Sequence, residues 1–181
     1  MSKKVLGLAL MLPLTFCGCA FFMQTAQEQA PYLCEGKLSR SERGLLRRIN
    51  QDLKIPQVTI LCNEYAYDGN GLPLSLAMIG RDPIIPQNWL ITLKPSTYFA
   101  MSVRLRRAVL AHELGHTAQS AIIAPRSLDA ENFADGFSAG YVGTRAVIDF
   151  LSSFRHPDTQ RPDRYARQRI EYLEELQNKK K

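Results

Sequence analysis

The chain has 181 residues, 45% hydrophobic and 22% charged, an ordinary globular composition that excludes intrinsic disorder, collagen-like repeats and low-complexity scaffolds. Its 23 basic and 17 acidic residues give a formal charge of +6. Lys3, Lys4, Lys179, Lys180 and Lys181 sit at the extreme ends, so the body carries only about +1 and the overall charge points to no nucleic-acid partner.

The N-terminus reads as a targeting segment. Ser2-Lys3-Lys4 is a basic head, and Val5 to Phe16 is apolar. That run is shorter than the roughly 20 apolar residues a membrane helix needs and has the length of a signal peptide. Leu14-Thr15-Phe16-Cys17-Gly18-Cys19 resembles a bacterial lipoprotein signal, in which cleavage leaves a lipid-bearing cysteine. Cys19 follows the small Gly18, whereas Cys17 follows the bulky Phe16, so Cys19 is the expected lipidation site. The expected organisation is a signal peptide over residues 1–18, a tether over 19–36 and a folded domain over 37–181. The expected location is the cell envelope, with the membrane as a partner through the lipid.

The elements follow in chain order. Ser39 to Asp52 reads as a helix, with Ser39 or Ser41 as cap and Leu38, Leu45, Leu46, Ile49 and Leu53 at helical spacing. Pro56 stops it. Val58-Thr59-Ile60-Leu61 is β-rich, Tyr67 to Gly71 a turn cluster, Leu74 to Ile79 a second strand and Trp89 to Leu93 a third. Met101 to Ile122 has the composition of a long helix. Ser127 to Phe154 reads as another, kinked around Gly136, Gly140 and Gly143, and Tyr165 to Gln177 as a last, charged one. The fold class is therefore α+β, a small mixed or antiparallel sheet packed on long helices. Arg104, Arg106 and Arg107, and the run from Arg161 to Arg169, read as solvated faces; the second run is also a candidate for contact with anionic lipid.

Cleavage before Cys19 would remove Cys17 and leave Cys34 and Cys62 as an even pair in an exported protein, where disulfides persist. A bridge between them closes a loop of about 29 residues and stabilises the fold by roughly 3–4 kcal/mol on the chain-entropy estimate.

His112-Glu113-Leu114-Gly115-His116 is an H-E-x-x-H motif in a chain with only three histidines. Residues four apart on a helix differ by about 40° in direction and about 6 Å along the axis. His112 and His116 can therefore both reach one Zn²⁺. Glu113, one residue along, is placed to take a proton from water rather than to ligate. Ala108 to Ala111 would bury the back of the helix, and Gly115 would leave room near the metal. Glu131 follows His116 by fifteen residues, and Asp135 follows Glu131 by four. On one helical face, Glu131 would supply the third ligand and Asp135 would accept a hydrogen bond from His112. His156 is the first candidate to stabilise the oxyanion in catalysis, with Tyr141 or Tyr165 second.

His112-Glu113-Leu114-Gly115-His116 followed by Glu131-Asn132-Phe133-Ala134-Asp135 resembles the gluzincin metallopeptidases. Within them it is similar to the HtpX-like peptidases and to smaller exported neutral zinc metallopeptidases, over about residues 105–170. Ala139-Gly140, and His156-Pro157 with a downstream arginine, add to the likeness. The resemblance implies a zincin-like fold, one Zn²⁺ and a polypeptide substrate, cut as an endopeptidase cuts. Unlike HtpX-type enzymes, the chain lacks multiple membrane spans. The strand Trp89 to Leu93 is expected to hold an extended peptide by edge pairing. Peptide deformylases also use H-E-x-x-H, with an upstream cysteine as third ligand, and Cys62 is the residue that reading would need. A third reading is an envelope lipoprotein with an idle metal site acting as a chaperone or assembly factor.

Overall fold

Ser39 starts the first helix through a reciprocal cap. Its side chain accepts from the Glu42 backbone N–H, and the Glu42 carboxylate accepts from the Ser39 N–H. In the computed structural model, which describes residues 30–55, 57–66, 76–119, 127–154 and 162–179, this helix α1 spans Arg40–Leu53. Every element lies within the unit Pro31–Lys181. Ahead of α1 come strand β1, Tyr32–Leu33, and a 3-10 turn, Glu35–Lys37. Residues 32–36, expected in the tether, thus belong to the folded unit, fastened by pairing with β2.

Strands β2 (Val58–Cys62), β3 (Ala77–Arg81) and β4 (Trp89–Leu93) complete a mixed sheet of order β1-β2-β4-β3. β2 and β4 are parallel, and β1 and β3 are antiparallel to their neighbours. Alternation buries Val58, Ile60 and Cys62 on β2 with Ile91 and Leu93 on β4, so this face meets the helices. β4 is therefore interior, and the edge beyond it is β3. The expected peptide-binding edge at Trp89–Leu93 is corrected by the strand order, which hydrophobic pattern alone does not specify. The turn cluster at residues 67–71 and the start of the expected strand at Leu74 lie outside the described residues.

After a short helix α2 (Pro95–Tyr98) come α3 (Val103–Ala118), α4 (Leu128–Val142), α5 (Thr144–Leu151) and α6 (Arg164–Asn178). The single helix expected over Ser127–Phe154 is two. Gly143, at φ +89°, ends α4 and caps α5, a backbone conformation that side chains other than hydrogen rarely adopt. Among the described residues, no helix is long and apolar enough to cross a membrane.

One further correction concerns buried charge. Arg106, expected on a solvated face, is nearly buried and pairs with Glu42 at 3.1 Å, while the buried Tyr98 hydroxyl donates to the same carboxylate at 2.8 Å. This cluster joins α1, α2 and α3. Arg104 is exposed and pairs with Asp149 at 3.0 Å. Cys34 and Cys62 are disulfide-bonded, 28 residues apart in sequence.

Replacing both Cys34 and Cys62 by serine is expected to lower stability by about 3 kcal/mol, the loop-closure value for a bridge of this span. Denaturant unfolding checks this, and an unchanged midpoint would remove the disulfide from the account of stability.

Candidate metal centre

The centre forms where α3 and α4 touch. Gly115 makes the contact close: a Cβ there would lie 2.9 Å from the Ala134 Cα and 3.1 Å from its carbonyl oxygen. The glycine therefore serves the approach of α4, not space beside a metal as expected. Ala130 and Ala134 are fully buried along the same seam, and the Ser138 hydroxyl donates to the Ala108 carbonyl at 3.0 Å. Small residues at one-turn spacing set the two backbones side by side, so the α4 residues Glu131 and Asp135 face the α3 histidines.

His112, His116 and Glu131 form a group able to hold a metal ion, with ligand atoms all within 4.8 Å of one another. The His112 Nε2 lies 3.3 Å from one Glu131 oxygen and the His116 Nε2 lies 3.6 Å from the other. Ligands at 2.0–2.1 Å around a tetrahedral ion sit about 3.3–3.4 Å apart. The two contacts go to different Glu131 oxygens, and one ligand atom from each residue lies within 4.8 Å of the others, so the three side chains would draw in around an ion. The imidazole rings stand perpendicular, with centroids 4.9 Å apart. His116 and Glu131 are half-buried and His112 buried, so an ion would be approached from one side.

Behind these residues lies a second layer. The His112 Nδ1 is 2.9 Å from an Asp135 oxygen, and Asp135 is fully buried. That contact leaves Nε2 to face the ion. Arg169 on α6 donates to both Asp135 oxygens, at 2.7 and 2.8 Å, and a further nitrogen lies 3.0 Å from Glu131. One guanidinium fork thus braces a ligand and its neighbour's support. Arg169 was expected among solvated arginines; it is buried, and sequence reasoning missed it. The signal was present, because Ala166, Arg169 and Leu173 form the buried stripe of α6. Arg164 and Arg167 are exposed as expected, and Arg161 lies outside the described residues.

The backbone of Ile79 on β3 lies near enough to the Glu113 carboxylate to favour its charged form slightly. The candidate base therefore lies between the histidine helix and the sheet edge. Burial pushes its pKa up to about 7, against the pull of His112. Burial works against the charge on His112, but its hydrogen bonds to Asp135 and Glu131 prevail and raise it to about 9. Burial also works to raise Glu131, yet its bond to His112 and the charges of His112 and Arg169 hold it at about 2. His116 is lowered by burial and by the charge of His112.

Tyr165, on the exposed side of α6, has its ring 5.8 Å from the Arg169 guanidinium. Its phenol is raised by burial and then by the charge of Glu131, so it stands within electrostatic reach of the ligands. Tyr141 is elsewhere: its hydroxyl donates to Asp52 on α1 at 2.8 Å. That bond corrects its candidacy as an oxyanion donor. His156 and Cys19 lie outside the described residues. Cys62 is fully buried and spent in the disulfide, so it offers no thiolate and the deformylase-like ligand set is corrected. The chain matches no family model, no curated protein and no solved structure.

Two predictions follow from these contacts. With Arg169→Ala, Asp135 keeps a buried charge without its fork; stability is expected to fall by about 3–5 kcal/mol and metal affinity by roughly 10–100-fold. Thermal unfolding and competitive chelation measure these, and Arg169→Lys should recover only part of either, since an ammonium cannot fork. The second concerns protons. A His112 pKa of about 9 keeps its ring charged at neutral pH in the metal-free protein. A metal must displace that proton, so affinity rises with pH until about 9 and about one proton is released per ion at pH 7. Calorimetry in buffers of different ionisation enthalpy counts it; zero protons would place His112 neutral before binding.

Proposed function

We propose that the protein is a zinc-dependent endopeptidase of the cell envelope, anchored through lipid on Cys19. One observation supports the reading: two imidazole nitrogens and a carboxylate gathered within 4.8 Å of one another, with a second carboxylate, Glu113, on the same helix as the histidines. Three protein ligands with one position left over is the donor set of catalytic rather than structural zinc. A zinc ion held by His112, His116 and Glu131 supplies a Lewis acid that polarises a peptide carbonyl and makes water acidic near neutral pH.

The chain's own residues do the rest. Glu113 takes the proton from the attacking water as the new C–O bond forms, then passes it to the leaving amine as the C–N bond breaks. Arg169 and Asp135 hold His112 and Glu131 in place and do not touch substrate. Tyr165, whose phenol feels the charge of Glu131, is a candidate donor to the oxyanion. A peptide laid along β3 as an added strand would pass Glu113, because Ile79 lies near it. Pairing through main-chain groups favours an extended, unfolded polypeptide over a folded one.

Glu113→Gln is expected to lower cleavage of an unfolded protein such as reduced casein by roughly 100- to 10,000-fold while zinc content stays the same. His116→Ala should lose the zinc itself. Elemental analysis beside a cleavage assay separates the two. Unchanged cleavage in Glu113→Gln would end the peptidase reading, whatever metal is bound.

A further inference from the structure

We propose that the outer face of α1 is a docking surface for the anionic phospholipid headgroups of the membrane to which the chain is tethered. This rests on the anchoring part of the functional reading, not on the peptidase part.

The placement of charge carries the inference. At about 100° per residue, Arg40, Arg43 and Arg47 fall within about 60° of one another around the helix. Lys54, exposed at the C-cap, ends the same helix. The core residues Leu45, Leu46 and Ile49 occupy the opposite side. Neither acid of α1 neutralises the stripe: Glu42 is buried against Arg106, and Asp52 accepts from Tyr141. Among the described residues, Arg40, Arg47 and Lys54 have no ion-pair partner. Arg104 and Arg145, by contrast, both reach Asp149. Arg40, Arg47 and Lys54 thus leave unpaired positive charge along one helix, a feature that attracts an anionic surface.

A second observation selects lipid. Tyr32 and Leu33, at the start of the folded unit, are exposed by 41% and 73%. Lys37 donates to the Tyr32 hydroxyl at 3.0 Å and lies over its ring. An aromatic, a leucine and a lysine together, three residues ahead of Arg40, have the chemistry of a membrane–water interface. Residues 19–30 can span no more than about 40 Å even when fully extended. A lipid on Cys19 therefore keeps this corner close to the bilayer. An acidic protein would satisfy the cations but gives no reason for exposed Tyr32 and Leu33 beside the tether.

The test compares the full chain with its Arg40→Gln/Arg47→Gln/Lys54→Gln variant. Binding is measured to vesicles of phosphatidylcholine alone and of phosphatidylcholine with phosphatidylglycerol. The N-terminal segment, including Lys3 and Lys4, is common to both proteins, so the variant's loss of preference reports on α1. Each cation near an anionic surface contributes about a 5-fold preference, so the variant should lose on the order of 100-fold of the wild-type preference. The wild-type preference should also shrink as salt is raised. A variant that keeps the preference, or a wild type that never shows one, would overturn the proposal. So would tighter binding to soluble polyglutamate than to anionic vesicles, which would indicate an acidic protein partner. The three side chains make no fold-specific contact, and matched circular-dichroism melting curves check that the variant is folded. The mass of the mature chain from cells reports on the anchor separately.

Discussion

Four ionisable side chains crowd one seam between α3 and α4, and Arg169 is what lets them. Glu131 and Asp135 both keep carboxylates below their ordinary range despite burial, which by itself opposes ionisation. The guanidinium, forked on Asp135 and touching Glu131, supplies the positive charge. His112 supplies the other in the metal-free state. Two negative and two positive charges then share a buried space, with Glu113 close enough to act on His112, and a divalent cation entering in place of the imidazole proton adds one positive unit. Solvent can answer that added charge, because His116 and Glu131 are only half-buried.

Packing places the charges. The Gly115–Ala134 contact brings α4 against α3 closely enough for Glu131 to reach both histidines, and Ala130 with Ser138 extends the contact by a turn on either side. On the other flank, Glu113 lies near the backbone of Ile79 on the sheet. The sheet is therefore more than a scaffold: its edge strand ends up beside the residue proposed to move the proton. Opposite the site, the buried Glu42, Tyr98 and Arg106 fasten α1 to the same helix, which leaves the outer face of α1 free for a separate role.

Much of the centre was legible in the sequence, because helix geometry turns spacing into direction. His112 and His116 at four residues, and Glu131 and Asp135 at four, need only be helical to share faces. The Ser39 start of α1 and the Cys34–Cys62 pair were legible for similarly local reasons. What depended on long-range packing was not. Arg169 looked like one more cation in an arginine-rich run, since its function depends on a helix some thirty residues away. Arg106 was misread for the same reason. The order of β3 and β4 follows from crossovers that alternation does not encode. Gly143 was noticed, but only as a kink, because local sequence does not tell a bend from a positive φ that ends a helix.

The most direct test of the central claim is X-ray absorption at the zinc edge of the zinc-loaded full chain. One ion per chain is expected, with two imidazole nitrogens and oxygen donors at about 2.0–2.1 Å, and an altered coordination sphere in Glu131→Ala. Sulfur in the coordination sphere, six water-like oxygens, or a spectrum indifferent to Glu131 would contradict the claim.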